Sequence, residues 1–188
     1  AITISPSNIQ DGKTDFGRCS YLSWPKYQES PEIKIYNGDI LLVKTGATFG
    51  KTAIVQKLNE KATLNPQVVV LKKTRVNNFF LGYMMGFETI QNQITSTIVG
   101  GAIPTLSQKL VAQFKFPIPR TTAEQDAIAA ALSDVDGLIG GLEQLIAKKR
   151  DLKQAAMQQL LTGQTRLPGF HREWQVKPLG ELFTFGVG

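Results

Sequence analysis

The segment Gly46-Ala47-Thr48-Phe49-Gly50-Lys51-Thr52, behind the apolar run Ile40-Leu41-Leu42-Val43, has the residue types of a phosphate-binding loop. That loop needs four residues between its glycines and a helix behind it, so that backbone N–H groups converge on phosphate. Here three residues separate the glycines, and Thr52-Ala53-Ile54-Val55 reads as a strand. Nucleotide hydrolysis is therefore set aside. The same residues suit another polyanion. Glycine lets a backbone approach a ligand closely. Lys44, Thr45, Thr48, Lys51 and Thr52 offer charge and hydroxyls to DNA phosphates and base edges. The plain alternative is a hairpin with surface lysines. Ser7, Lys13, Arg18 and Tyr21 join the DNA-binding candidates. Asn8, Lys26, Lys34, Lys72, Lys73 and Arg75 are weaker ones, because scattered lysines are more often solvated surface.

Other chemistry finds little support. Cys19 is the only cysteine and His171 the only histidine, so no Cys/His metal set exists. No nucleophile–base pair and no carboxylate spacing stands out. Asn65-Pro66-Gln67 lacks the second proline and the aromatic of an amino-methylating motif. We expect no catalytic residue, no metal, no cofactor and no enzymatic activity.

Charge narrows the partner. The net charge is +6 over 188 residues, and its distribution is uneven. Residues 1–120 hold 14 Lys/Arg against 7 Asp/Glu, whereas 121–188 hold 7 against 8. The basic excess lies wholly in the N-terminal part, where a polyanion is the natural partner. An apolar fraction of 42% and a charged fraction of 19% are those of a folded chain. No apolar run approaches the ~18 residues of a membrane span, and Ala1 to Gln10 does not read as a secretory signal. A single cysteine excludes an internal disulfide and fits a reducing compartment, so we expect a cytoplasmic protein.

The elements that must position these residues fall into two kinds. Up to residue 120 the chain reads as mixed and strand-rich. Short β-branched runs bounded by turn residues at 40–43, 52–55 and 68–71 predict buried strands. Asn78 to Phe87, continuing toward Ile98, predicts one helix weakened by Gly82 and Gly86. Gly100 to Pro104 reads as a loop, and Phe114 to Ile118 as a final edge strand closed by Pro117 and Pro119.

The character then changes. Thr122, followed by Gln125, is a capping-box start, and no proline interrupts Ala123 to Thr162. This predicts one helix of ~40 residues and ~60 Å, ended by Gly163. Ile128, Leu132, Val135, Ile139, Leu142 and Ile146 form one apolar track. Ala131, Val135, Leu138, Leu142, Leu145, Leu152 and Ala156 form another. Both have coiled-coil spacing. A domain of about 120 residues, ~30 Å across, cannot cover such a helix, so it should seek another helix. Gly140-Gly141 predicts a kink or a close backbone approach. The tail from Arg166 is too apolar to be solvated and too short to fold alone.

Taken in order, the segments resemble a known family. They are GDILLVKTGATFGKTAIV (38–55), GGAIPTLSQKLVAQFKFPIP (100–119), TTAEQDAIAAAL (121–132), KKRDLKQAAMQQLLTGQTRLPGF (148–170) and WQVKPLGELF (174–183). Together they are similar to the specificity subunit of type I restriction–modification systems. The resemblance implies an α+β fold, a mixed β-rich target-recognition domain followed by one long coiled-coil-type helix. It implies a subunit without catalysis that reads one half of a split site per domain. It also implies antiparallel helices that set the spacing, and methylation and restriction/translocation subunits as partners.

On that pattern residues 1–120 are a recognition domain incomplete at its start, 121–163 the spacer and dimerisation helix, and 164–188 a tail. The tail carries a motif that opens a recognition domain in the family, so it should complete its own domain or a neighbour's. With one domain and one helix, the chain is expected to form a two-fold homodimer through antiparallel helices. Leu132, Val135, Leu138, Ile139, Leu142, Leu145, Ile146 and Leu152 would line the seam. Its double-stranded target would be bipartite, an interrupted palindrome. The alternative is a vestigial or regulatory assembly protein that keeps the helix contacts without reading DNA.

Overall fold

The structure, a computed structural model, describes residues 1–98 and 105–186. The expected loop Gly100 to Pro104 lies outside the described residues. In chain order the elements begin with β1 (Ile2–Ile4), a 3-10 turn (Pro6–Asn8), β2 (Ile9–Gln10), β3 (Lys13–Thr14) and β4 (Ser20–Tyr21). Next come α1 (Trp24–Glu29), a second 3-10 turn (Pro31–Ile33), β5 (Ile40–Val43), β6 (Thr52–Ile54), β7 (Ala62–Leu64) and β8 (Val68–Leu71). Four helices follow: α2 (Asn78–Gly86), α3 (Glu88–Thr95), α4 (Gln108–Val111) and α5 (Thr122–Leu161). The mixed α+β reading holds. The chain divides into two compact units, Ala1–Ser133 and Asp134–Gly188.

In the first unit, β5 is the middle strand of an antiparallel sheet ordered β6-β5-β8. Its side chains alternate between two cores, as the two-residue period of a strand requires. Leu41 and Val43 join Ile2, Ile4, Ile9, Ala62 and Leu64. Ile40 and Leu42 join Met85, Ile90, Ile94 and Leu106. Both faces are covered, which is why Ile-Leu-Leu-Val is apolar throughout. A second sheet, β4-β1-β7, pairs β1 antiparallel with β4 and parallel with β7.

Two expected elements differ. Residues 78–98 do not form one helix: the backbone turns extended at Phe87 (φ −80°, ψ 153°), separating α2 from α3. The turn lets Ile90 and Ile94 reach the core beside Met85. Gly82 lets α2 pack closely on β6, since a Cβ there would lie 3.3 Å from Ile54 Cβ. Phe114 to Ile118 is not a strand. A single side chain takes the place of a neighbouring strand: Gln93 Oε1 accepts from Lys115 N–H (2.8 Å), and its Nε2 donates to Lys115 O (2.6 Å). Pro117 and Pro119 have no N–H to extend a ladder.

Helix α5 begins one residue earlier than expected. Thr121, not Thr122, is the cap, its Oγ1 accepting from Glu124 N–H (3.3 Å). Gln125 is used differently from a capping box. It is buried, its Oε1 accepts from Asn77 N–H (3.1 Å) and its Nε2 donates to Pro119 O (3.1 Å).

In the second unit the helix ends before Gly163, whose φ of +74° is the left-handed stop expected of it. The tail turns back over that stop. The Trp174 ring lies 3.6 Å from where a Gly163 Cβ would sit, and the Arg166 guanidinium stacks 5.4 Å from the ring centroid. Leu167, Phe170, Val176, Leu179, Leu182 and Phe185 stay exposed. No helix among the described residues is long and apolar enough to cross a membrane.

Candidate nucleic-acid interface

The loop from Lys44 to Lys51 joins β5 to β6 and is closed by two backbone bonds. Gly50 N–H donates to Val43 O (2.9 Å), and Val43 N–H to Lys51 O (2.8 Å). Its two glycines have positive φ, +98° at Gly46 and +83° at Gly50, which glycine adopts without strain. Both are also packed tightly. A Cβ at Gly46 would lie 3.0 Å from Gln67 Nε2, and one at Gly50 2.9 Å from Ile94 Cγ2. Gln91 braces the loop through Nε2, which donates to Gly50 O (3.1 Å) and Met85 O (2.7 Å). Lys44 is anchored by its backbone to Gln67 O and Leu106 N–H (2.8 and 2.9 Å). The loop is thus a rigid turn backed by core, with Lys51 exposed and Lys44 and Thr45 half-buried. The Thr48 Oγ1 is buried and finds no hydrogen-bond partner among the described residues.

The eight DNA-binding candidates fall in three places. Lys44, Thr45, Thr48 and Lys51 share the loop. Lys13 is exposed on the β2–β3 hairpin, which lies against β6. Gly12 bridges Ala53 in parallel, and its carbonyl accepts from Ile54 N–H (3.1 Å), so Lys13 follows toward Ile54 and away from Lys51. Ser7, Arg18 and Tyr21 belong to the other sheet and its loops. Ser7 is on the turn after β1, Arg18 precedes β4, and Tyr21 in β4 pairs with Ile2 and is 73% exposed. Sequence reasoning missed the glutamines that hold the loop. Nothing in the local pattern marks Gln67 or Gln91 as braces, since their partners are distant in sequence.

Electrostatics exclude one kind of chemistry. Burial, reinforced by Asp15 and Glu60, pushes the Cys19 thiol above its ordinary pKa, so it is a poor nucleophile. Among the described residues no group of His, Cys, Asp and Glu could hold a metal ion.

The helix candidates also have definite places. Leu132, Val135, Leu138, Ile139, Leu142, Leu145, Ile146 and Leu152 are all between 41% and 65% exposed in the single chain. Eight large apolar side chains at coiled-coil spacing, all open to water, form a patch of the kind that marks an interaction site. Charge along α5 is unevenly distributed. Glu124, Asp126, Asp134 and Asp136 make its first half acidic, and Lys148, Lys149, Arg150 and Lys153 outnumber Glu143 and Asp151 in its second.

Comparison with known proteins gives the family. The profile of the type I restriction modification DNA specificity domain matches residues 4–149. The chain is 26% identical over 165 residues to the type I restriction enzyme MjaVIII specificity subunit of Methanocaldococcus jannaschii, covering 85% of this chain and 39% of that protein. Its fold is similar to a chain solved in work on complex assembly and conformational transition of the type I R-M system. That match has a TM-score of 0.61 and 19% identity, and covers 92% of this chain and 45% of the other. The HsdS subunit from Thermoanaerobacter tengcongensis matches with a TM-score of 0.59 and 20% identity, over 92% of this chain and 45% of that subunit. The chain therefore spans less than half the length of each of these relatives. A profile match over most of the chain, with the same fold in two solved relatives, places it in a family: the chain belongs to the type I restriction modification DNA specificity domain family.

Proposed function

We propose that this chain recognises DNA sequence within a type I restriction–modification complex and carries no catalysis of its own. The observation that supports this most is the family match over residues 4–149, which takes in the glycine-bounded loop and most of the first unit. On this reading residues 1–120 are the recognition domain. Lys44, Thr45, Thr48 and Lys51 meet DNA from the loop, with Lys13, Arg18, Tyr21 and Ser7 contacting its flanks. Residues 121–163 are the spacer, and 164–188 a docking tail. The Leu132–Leu152 seam pairs with a second copy, antiparallel. The charge imbalance supports that direction, because antiparallel packing sets the acidic half of one helix against the net basic half of the other. Two identical readers facing opposite ways select a bipartite, interrupted palindrome. Methylation and restriction/translocation subunits dock on the assembly, in the cytoplasm.

Selection from a randomised duplex library at rising salt tests the reading. Enrichment of two inverted half-sites with a fixed gap is the expected result. Binding that ignores sequence at every salt concentration would sink it.

A further inference from the structure

Six side chains scattered through the sequence meet on the first unit at the end of β5 opposite the Lys44–Lys51 loop. Trp24 stacks on Tyr27 with ring centroids 5.2 Å apart and planes at 19°. The Lys34 ammonium sits 4.7 Å from the Tyr27 centroid. Lys72 donates to Lys34 O, lies 5.1 Å from the Tyr36 centroid and pairs with Asp39 at 3.8 Å. Through these links two aromatic rings, Trp24 and Tyr36, are held at the surface, each 55% exposed. The turn after β8 continues the patch. Lys73 (φ +51°) and Arg75 are exposed and have no hydrogen-bond or ion-pair partner among the described residues. Glu29 is matched by Lys26 at 3.1 Å and Asp39 by Lys72. Lys34, Lys73 and Arg75 therefore outnumber Glu32 and Asp126, whose carboxylate accepts from Asn77 Nδ2 (2.7 Å) two residues from Arg75.

We propose that Trp24, Tyr36, Lys73 and Arg75 form a second duplex-DNA contact, separate from the Lys44–Lys51 loop. The proposal rests on the DNA-recognition reading above. Ile40 pairs with Leu71 and Val43 with Val68, so the patch and the loop flank the two ends of β5. A strand of that length spans about 13 Å at ~3.4 Å per residue. β5 itself is covered on both faces, so the patch and the loop are two separate contacts. Lys73 and Arg75 take phosphates. The rings offer flat apolar surface to deoxyribose and thymine methyl groups, and they arrive already ordered, which lowers the entropy lost on binding.

The test titrates the whole 188-residue chain with a labelled random-sequence duplex across a salt series. Lys73→Ala/Arg75→Ala should weaken binding and reduce the slope of log affinity against log salt by about 2. Trp24→Ala should weaken binding several-fold without changing the slope, and Trp24→Phe should restore most of it. These positions are exposed, so circular dichroism should be unchanged. If Lys44→Ala/Lys51→Ala weakens binding while the patch variants match wild type, the patch proposal falls and the DNA reading stands. If the wild type binds no duplex, both fall. Tighter binding of single strand, dependent on Trp24, would overturn the duplex assignment.

Discussion

Two residues in the first unit carry more than their size suggests. Gln125 is a neutral side chain buried between Asn77 N–H and Pro119 O, and it ties the start of α5 to α2. Gln125→Ala should lower unfolding free energy by ~1–3 kcal/mol, because buried polar groups lose their partners. Urea denaturation would measure it, and no change would mean that water replaces the amide. Asp39 behaves differently. Burial raises its pKa, outweighing the Tyr36 N–H bond and Lys72, which both lower it. A carboxyl that ionises less readily when folded penalises the fold at neutral pH, and protonation removes the penalty. Stability should therefore rise as pH falls through the window between the ordinary Asp range and the raised value. Asp39→Asn should lack that component. Parallel thermal melts from pH 4 to 7 would show the two curves diverging; identical slopes would rule out Asp39 as the source.

At the scale of elements, the loop and the seam respond to different changes. Gly50 combines a φ of +83° with an Ile94 methyl 2.9 Å from any added Cβ. Gly50→Ala should cost more than ~1 kcal/mol, since an unfavourable backbone conformation and a clash add together. A denaturation midpoint equal to wild type would mean that Ile94 repacks. Leu142 is half exposed in the single chain and sits on both apolar tracks of α5. Leu142→Asp should abolish the proposed helix pairing and leave monomer, because pairing would bury an unpartnered charge. Sedimentation equilibrium reads this directly, and a dimer that persists would place the partner on another face. The elements also differ in how legible they were. Helix α5 showed in the sequence through its period and its glycine stop. The segment 78–98 did not show its break at Phe87, because the break follows from where Ile90 and Ile94 must pack.

For the whole molecule, burial is uneven. Leu41, Leu42 and Val43 are fully buried and hydrogen-bonded on both sides by β6 and β8, while the tail leaves its large apolar residues open. Hydrogen exchange should be slowest at β5 and fastest from Arg166 to Phe185. Protection of the tail in the isolated chain as strong as that of β5 would show it docked on apolar surface. The candidate contacts were legible only in part. Lys44 to Lys51 announced itself by glycine spacing, whereas Trp24 and Tyr36 gained meaning only beside Lys34 and Lys72.

By itself the sequence determined what local pattern controls. The β5 run reads apolar because both its faces are covered, the α5 tracks follow helical period, and Gly163 marks the left-handed stop of the helix. Only the tertiary structure decided what depends on residues far apart in the chain. The parallel pairing of β1 with β7 joins strands of three residues each, too short to show a period. Gln91, Gln93 and Gln125 each complete a hydrogen-bond set across 22 to 48 residues. An amide side chain has no sequence signature for that task, because its partners are backbone groups, which every residue carries.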